Sequence, residues 1–301
     1  MTELDDIRAI VEAINQNGLA LAARRLGVAK SVVSRRIARL EADLGTRLLN
    51  RSSRGIMATE AGLEFKARGE RILAELAEAR DAVATQRGEM VGRLRLSLPM
   101  SFGLRYVAPL LTVLSKTNPR LEVDATYGDR HVDLVREHFD AAIRIGVLKD
   151  SALVARRLAA VKLAVVASPG YLRTHKAPQT PADLSNHECL VYSGARDRSP
   201  WRFWLGHKEN SVMPQSRFSA DSGEVLLQAA IAGLGVTVLP TFLVAESFRS
   251  GSLVRLLTDY ALPEEGLYVL RPPGAYVPGK VRGLIDLLIK EFDGEPVWDQ
   301  N

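Results

Sequence analysis

The stretch Leu21–Glu41, LAARRLGVAKSVVSRRIARLE, contains two short runs with helical spacing that a glycine and a valine separate. In the second run, Val33, Ile37 and Leu40 recur at intervals of four and three residues, so they form one stripe along a helix. Small alanines in the first run allow two helices to cross closely, and Gly27 suits the tight turn between them. The pattern predicts two short helices joined by a turn, with a basic outer face on the second.

The net charge of the chain lies in this region. The 301 residues include 40 Lys and Arg against 35 Asp and Glu, and residues 30–54 hold seven of the basic and two of the acidic ones. This segment therefore accounts for the whole net charge of +5. A local basic excess in a balanced chain favours a polyanionic partner, and a helix of this kind fits the major groove of double-stranded DNA. The alternative is a solvated helix face, which usually has interspersed acidic residues.

Two flanking segments extend the pattern to a small domain. Residues 4–14 have apolar positions at helical spacing, which predicts a preceding amphipathic helix that ends near residue 18. Residues 47–55 form a basic segment that ends in glycine and predicts a wing or hairpin. On such a wing, Arg51 and Arg54 reach flanking phosphates or a minor groove. The other interpretation is an exposed basic loop.

The stretches AARRLGVAKSVVSRRIARLEADLGTRLLNR and TEAG, together with the spacing between them, resemble the LysR-type transcriptional regulators. The resemblance implies a winged helix-turn-helix DNA-binding domain over residues 1–62, with the helix-turn-helix at about Leu19–Ala38. It covers essentially the whole chain. The candidate DNA-binding residues are Lys30, Ser31, Val32, Ser34, Arg35, Arg39, Arg51 and Arg54.

Two positions depart from the family pattern. Ala29 stands where a Ser or Thr usually caps the recognition helix, and the missing side-chain bond costs about 1 kcal/mol. Ser31 is a candidate to cap the helix one turn later. Lys30 stands where glutamine is frequent, so it either reads guanine or contacts a phosphate.

A third segment, residues 63–90, predicts a long linker helix that runs to about Gln86. Its apolar positions step by four and three residues and are called here the seam: Phe65, Gly69, Ile72, Leu76, Ala79 and Val83. A seam of this kind pairs with a second copy of the chain or packs on its own domain. Pairing makes a homodimer whose recognition helices lie about 34 Å apart and read an inverted repeat. The family resemblance suggests a homotetramer, and Arg87, Gly88 and Gly92 form the expected hinge.

The remainder of the chain alternates strands and helices, which predicts an α/β fold with mostly parallel sheets. The expected strands are 93–98, 121–126, 140–145, 163–167, 190–192 and 267–270, and the expected helices are 104–114, 132–137, 224–231 and 281–292. Two lobes are expected, one over about 91–161 and 266–301 and the other over about 162–265. The motifs ASPGYL, AGLGVTVLP and SGSLVRLL fall in the order of the LysR effector domain, which is similar to periplasmic binding proteins.

A cleft between two such lobes is expected to bind a small-molecule effector. Ligands of α/β sheets lie beyond the carboxyl ends of strands, where helix N-termini present free N–H groups. A carboxylate is the first chemical class to consider, with Arg144 as its counter-charge. The candidate effector-binding residues are Ser101, Phe102, Arg144, Trp201, Phe203 and Ser222. For the serines, a helix cap is an equal alternative; for Arg144, an ion pair; for the aromatics, the core.

Several other classes of protein fit the sequence poorly. The run 225–245 carries no formal charge, but glycines and a proline interrupt it, so it reads as buried elements rather than a membrane span. The N-terminus lacks a signal-peptide pattern and Cys189 is the only cysteine, which suits the cytoplasm and weighs against an exported solute receptor. Without a nucleophile elbow or metal-binding histidine spacing, neither an enzyme nor a cofactor or metal is expected. The sequence predicts an effector-responsive transcription regulator that bends DNA or contacts RNA polymerase.

Overall fold

The computed structural model describes residues 3–52, 55–85, 90–148, 150–194, 200–274 and 276–299. The chain divides into two compact units, Met1–Gly88 and Glu89–Asn301. In the described residues, no helix is long and apolar enough to cross a membrane. The run 225–245 folds as the end of one helix, a strand and the start of another helix.

The first unit is a helical domain with one β-hairpin. Its elements are α1 (Leu4–Asn15), α2 (Leu19–Leu26), α3 (Lys30–Leu44), β1 (Leu49–Ser52), β2 (Gly55–Ala58) and α4 (Glu60–Thr85). Gly27 ends α2 at a φ of +66°, a conformation that glycine adopts without strain. The two strands pair antiparallel, so the segment expected to form a wing is a hairpin.

The start of α3 differs from the expectation that Ser31 caps it. Ala29 occupies the N-cap position with no side-chain hydrogen bond, and Ser31 lies inside the helix. The helix therefore begins without a side-chain cap at residue 29. Its length and its buried stripe of Val33, Ile37 and Leu40, each 0% exposed, hold it against the other helices.

The beginning of the seam packs on its own domain, whereas its later part is more exposed, as expected for pairing with a second copy of the chain. Phe65 packs on the core of the first unit, and a Cβ added at Gly69 would lie 2.9 Å from Ile7 Cγ2. The beginning of the seam therefore packs on its own domain. Ile72, in contrast, is 44% exposed, and Leu76 is half-buried. The side chain of Val83 and the expected hinge residues Arg87 and Gly88 lie outside the described residues.

The second unit contains two five-stranded sheets. Its first elements are β3 (Gly92–Leu98), α5 (Met100–Phe102), a π-helix (Gly103–Val107), α6 (Ala108–Thr117), β4 (Leu121–Tyr127), β5 (Ala141–Gly146) and β6 (Val154–Val161). The next are β7 (Leu163–Ala167), α7 (Pro169–Leu172), a 3-10 helix (Pro181–Asn186), β8 (Cys189–Tyr192), β9 (Trp201–Leu205), β10 (Lys208–Val212), β11 (Phe218–Ala220) and α8 (Gly223–Ile231). The last are β12 (Val236–Pro240), α9 (Thr241–Arg249), β13 (Val254–Leu256), β14 (Glu265–Arg271) and α10 (Gly279–Glu291).

Each sheet belongs to one lobe. Lobe I has the strand order β4-β3-β5-β14-β6, and lobe II has the order β11-β8-β12-β7-β13, while β9 and β10 form a separate hairpin. In lobe I, β3 runs parallel to β4 and β5, but β14 runs antiparallel to β5 and β6. In lobe II, β12 is parallel to β8 and antiparallel to β7. The sheets are therefore mixed, and the expectation of mostly parallel sheets was wrong.

The helix expected over residues 132–137 is absent, since turns occupy this segment. His138 adopts a φ of +56°, which ends any helical continuation. The reversal lets Leu134 and Phe139 both enter a small core against the sheet of lobe I. The hydrophobic spacing of the segment reflects this burial rather than a helix.

A set of aromatic rings from α5, the π-helix, α9 and the segment after α10 joins the two lobes. This aromatic cluster consists of Phe102, Tyr106, Phe242, Phe292 and Trp298. The ring of Phe102 in lobe I lies 5.2 Å from that of Phe242 in lobe II. An ion pair between Arg105 and Glu224, at 3.0 Å, also links the lobes.

Candidate DNA interface and ligand cleft

The helix α3 presents a polar face opposite its buried stripe. Lys30, Ser31 and Arg35 are exposed, whereas Val32 and Ser34 are half-buried at the flanks. Because residues 31 and 35 lie one turn apart, their side chains share the outward face. The structure thus gives α3 the amphipathic form that the sequence predicts, with Lys30 and Arg35 in solvent.

The cations of α3 fall into two groups. Among the described residues, Lys30 and Arg35 form no ion pair. Arg36, in contrast, donates a hydrogen bond of 2.5 Å to Asp5. Arg39 pairs with the first turn of α1 as well. These acidic partners were not predicted from the sequence, although α1 begins with acidic residues and the two arginines lie three residues apart on one side of α3.

Arg39 is held by two carboxylates. Its Nε donates to Asp6 at 2.9 Å, and its Nη2 donates to Asp6 at 2.6 Å and to Glu3 at 3.0 Å. The hydrogen bond with Asp6 is the main reason that the pKa of Arg39 is raised above its ordinary value. Asp6 is 0% exposed, while the side chain of Arg39 remains 45% exposed. Arg39 therefore combines an anchored part with a part that faces solvent.

The wing begins at a carboxylate of α3. Glu41 accepts hydrogen bonds from the backbone N–H groups of Leu48 and Leu49, at 2.8 and 3.0 Å. These bonds fix the start of β1 against the end of α3. Within the hairpin, the backbone of Arg51 pairs with Ile56. The side chain of Arg51 and all of Arg54 lie outside the described residues, so their contacts with DNA stay predictions.

In the second unit, Arg144 projects from β5 within lobe I. It donates hydrogen bonds to the Ser97 hydroxyl at 2.7 Å, to the Ile143 carbonyl at 2.8 Å and to the Ser97 carbonyl at 3.4 Å. Burial lowers the pKa of Arg144, with the charge of Asp129 as the next influence in the opposite direction. Arg144 is anchored within its own lobe and remains half-buried.

The candidate serines occupy different positions at their junctions. Ser222 is the N-cap residue of α8, as expected, but its side chain makes no capping hydrogen bond. For α5, Pro99 is the N-cap and Ser101 lies within the helix, so a capping role for Ser101 was wrong. Neither hydroxyl has a hydrogen-bond partner among the described residues.

Two of the three aromatic candidates are core residues. Phe102 is 0% exposed and belongs to the aromatic cluster. Phe203 is also 0% exposed and lies in the core of lobe II, where Trp201 packs beside it. The burial of Phe102 and Phe203 corrects the expectation that they contact an effector, whereas Trp201 is half-buried and its role stays a prediction.

Several residues that were not predicted from the sequence as ligand contacts lie at or near the ends of strands in both lobes. Tyr192 ends β8, and burial raises the pKa of its phenol to about 12, with the negative charges of Asp129, Asp221 and Glu265 adding to the shift. Asp129 follows β4 of lobe I, whereas Asp221 follows β11 of lobe II. Acidic residues of both lobes therefore influence Tyr192, and the region of these four residues is called here the cleft.

Glu265 is the most buried acid of the cleft. It begins β14, which returns from lobe II to lobe I, and burial raises its pKa above the ordinary value of 4.5. Asp129 is partly engaged, since it accepts a hydrogen bond of 3.0 Å from the Met100 backbone. The lobe boundary expected after residue 265 agrees with this position, but the burial of Glu265 beside Tyr192 follows only from the sheet order.

A winged helix-turn-helix with an exposed basic helix, followed by two α/β lobes around a cleft, defines a class of transcription regulators that respond to small molecules. The family model described as the bacterial regulatory helix-turn-helix protein, lysR family, matches residues 4–63. The model described as the LysR substrate binding domain matches residues 87–293. The chain belongs to the LysR family of DNA-binding transcriptional regulators, with an effector-binding domain after the DNA-binding domain.

Named relatives and solved structures agree with this assignment. An uncharacterised HTH-type transcriptional regulator of Haemophilus influenzae is 34% identical over 94% of this chain and 99% of its own length. The regulator PtxR of Pseudomonas aeruginosa is 34% identical over 97% of this chain and 94% of its own. The structure of CrgA from Neisseria meningitidis, a LysR-type regulator, matches with a TM-score of 0.63 and 30% identity, covering 98% of this chain and 100% of CrgA. Full-length AphB, a virulence activator of Vibrio cholerae, matches with a TM-score of 0.61 and 28% identity, covering 96% and 99%.

Proposed function

We propose that this regulator reads an inverted-repeat operator in double-stranded DNA by placing α3 of two copies in successive major grooves. The observation that carries the proposal is the outward face of α3, where Lys30 and Arg35 are exposed and have no ion pair in the described part of the chain. An unpaired, solvated cation on a protruding helix is available to phosphates and base edges. Ser31, Val32 and Ser34 complete the surface that enters the groove, and Arg51 and Arg54 on the wing reach flanking DNA.

Arg39 is also proposed to contact DNA, through the part of its guanidinium that faces solvent. Its Nη1 group makes no hydrogen bond to a described residue, in contrast to Nε and Nη2. Residues 35 and 39 lie one helical turn apart, so the two side chains leave α3 on the same side. Lys30, at the start of α3, either reads guanine or contacts a phosphate.

The acting form is proposed to be a homodimer, or a homotetramer made of two dimers. The support is the later part of the seam, where Ile72 is 44% exposed and Leu76 is half-buried on a helix of 26 residues. Apolar residues at heptad spacing on a long helix are typical of a helix that pairs with another copy. A twofold pair places the two α3 helices on adjacent half-sites of an inverted repeat.

The cleft is proposed to bind a small-molecule effector that carries a carboxylate. The N-terminus of α8 and the free hydroxyl of Ser222 suit an anionic group, and Arg144 supplies positive charge. The rest of the ligand needs hydrogen-bond donors that pair with the carboxylates of Asp129 and Glu265. A second negative group at that end of the ligand would be repelled by these acids. Hydroxy- and amino-substituted carboxylates are therefore the first compounds for a thermal-shift screen.

Effector binding is proposed to favour one closure state of the lobes and so to change DNA bending or contact with RNA polymerase. The free energy available equals the difference in effector affinity between the two states, typically about 1–3 kcal/mol. The protein is proposed to act in the cytoplasm without catalysis, cofactor or metal. Analysis for reaction products after incubation with any compound that binds tests the absence of catalysis.

Selection of bound genomic fragments by the full-length protein tests the proposed function. The expected result is enrichment of a few fragments that share an inverted repeat, with affinity falling steeply as salt increases. Two outcomes contradict the proposal. One is equal binding to every duplex, with or without metabolites, and the other is an affinity that does not change with salt.

A further inference from the structure

Asp6 has an unusual position for a carboxylate in a DNA-binding domain. It is 0% exposed and lies in the first turn of α1, the helix that contributes Ile10 and Ala13 to the apolar core of the first unit. A buried carboxylate is costly unless charged partners and hydrogen bonds compensate it. Asp6 meets this requirement through Arg39, whose Nε and Nη2 donate to its two oxygens at 2.9 and 2.6 Å, and through the Glu3 backbone N–H, which donates to the same carboxylate at 3.4 Å as part of the cap of α1.

The bidentate geometry fixes the guanidinium plane of Arg39. Two parallel N–H···O bonds to one carboxylate permit little rotation of the plane, and Glu3 adds a third bond at 3.0 Å to the same Nη2. The group that remains is Nη1, which carries two N–H donors. Because Arg39 lies one turn after Arg35 on α3, the fixed plane determines how Nη1 is presented beside Arg35.

We propose that Asp6 is a positioning residue for DNA recognition, which holds Nε and Nη2 of Arg39 against α1 and thereby presents Nη1 to the DNA next to Arg35. The role rests on the proposed function, since it requires that α3 enters the DNA. Asp6 itself does not contact DNA. Its contribution is that the guanidinium is already ordered before the complex forms, so less side-chain entropy is lost on binding.

The acid beside it provides a matched control. Asp5 also pairs with an arginine of α3, since it accepts a 2.5 Å hydrogen bond from Arg36. However, Asp5 is 51% exposed and accepts this one bond only within the described part of the chain, so it does not fix the plane of the guanidinium. If only net charge mattered, Asp5 and Asp6 would be equivalent, because removal of either negative charge from the basic domain should tighten binding to any duplex. The positioning role predicts opposite behaviour for Asp6.

The test uses the full-length protein and two duplexes, one selected by the wild-type protein from a randomised library and one scrambled duplex of equal length. Binding is measured by fluorescence anisotropy at several salt concentrations. Asp6→Asn is expected to lower the affinity ratio between selected and scrambled duplex about tenfold, the cost of losing one charged hydrogen-bond pair. Asp5→Asn is expected to leave that ratio unchanged and to tighten binding to both duplexes. Circular dichroism and thermal denaturation show whether each variant is folded.

A second variant keeps the test decisive if Asp6→Asn does not fold. Arg39→Lys retains the positive charge and the aliphatic stem but cannot form two parallel bonds to one carboxylate. It is expected to lower the same ratio about tenfold while leaving the salt dependence unchanged. In the double variant Asp6→Asn, Arg39→Lys, the losses should not multiply, because both changes remove the same interaction.

The outcomes separate this role from the proposed function. A wild-type protein that does not distinguish the two duplexes contradicts the proposed function itself. A wild-type protein that does distinguish them, together with folded Asp6→Asn that keeps the wild-type ratio or tightens both complexes, overturns the role of Asp6 alone. If only Arg39→Lys is folded, an unchanged ratio for that variant overturns it equally.

Discussion

Replacement of Arg35 with alanine should reduce the salt dependence of DNA binding, whereas the same change at Arg36 should affect it much less. Arg35 is exposed and has no ion pair among the described residues. Arg36 is 22% exposed and already pairs with Asp5 at 2.5 Å. The neighbouring positions carry the same side chain on the same helix, so they differ in exposure and in their partner rather than in chemistry.

The expected magnitude follows from counterion release. Each neutralised phosphate contributes about 0.9 to the slope of log affinity against log salt, so a dimer that loses two contacts at Arg35→Ala should lose about 1.8. Between about 50 and about 200 mM salt, the affinity of the variant should therefore fall by a factor roughly twelvefold smaller than the factor for the wild-type protein. For Arg36→Ala, we expect less than half of that change, because the arginine is neutralised by Asp5 before DNA arrives.

Anisotropy titrations of both variants on one duplex, at four or more salt concentrations, measure the two slopes. Thermal denaturation provides the control, since neither change lies in the core and neither should lower the melting temperature by more than a few degrees. Equal slope reductions for the two variants would refute the division of the α3 cations into paired and available groups. An unchanged slope for folded Arg35→Ala would refute the docking of this face on DNA.

Three further predictions concern the second unit. Phe102→Ala should destabilise it by about 3–5 kcal/mol, because the ring is fully buried in the aromatic cluster, and urea denaturation of the full-length protein measures this loss. The Cys189 thiol should resist thiol reagents at pH 8 until the protein is unfolded, because it is 1% exposed and burial raises its pKa to about 11; prompt labelling of folded protein would contradict this. Burial also raises the pKa of Glu265, so the folded state binds this proton more tightly than the unfolded state, and the resulting stability is lost as pH rises from about 4.5 through the raised value. Glu265→Gln should therefore increase the melting temperature at pH 7 and not at pH 4, and a lower melting temperature at pH 7 would contradict the assignment.

The sequence predicts the buried and exposed faces of α3 well because a single helix determines them. The spacing of Val33, Ile37 and Leu40 defines the buried stripe of α3, and the opposite face follows from helical geometry alone. The partner of Arg39 did not follow, because Asp6 lies 33 residues earlier, on another helix. Only the crossing of α1 over α3 decides that this arginine, and not Arg35, is anchored.

The cleft was harder to predict, since the side chains that meet there come from separate strands and both lobes. Ser222 could be placed from its position before a helix, because a cap is a local feature. Phe102 could not, since it precedes a π-helix in which the residue spacing differs from that of an α-helix. Tyr192 and Glu265 approach each other only through the sheet order of lobe II and the returning strand β14.

The contacts between the lobes limit the movements that an effector can cause. The ion pair of Arg105 and Glu224 is about one-third exposed on each side and contributes at most about 1 kcal/mol. Separation of the rings of Phe102 and Phe242 would instead expose two buried aromatic side chains, at a cost of about 3–6 kcal/mol. This cost exceeds the typical coupling energy of about 1–3 kcal/mol that an effector supplies. We therefore expect the lobes to pivot about the aromatic cluster, so that the cleft around Tyr192 opens and closes while the rings of the cluster stay packed.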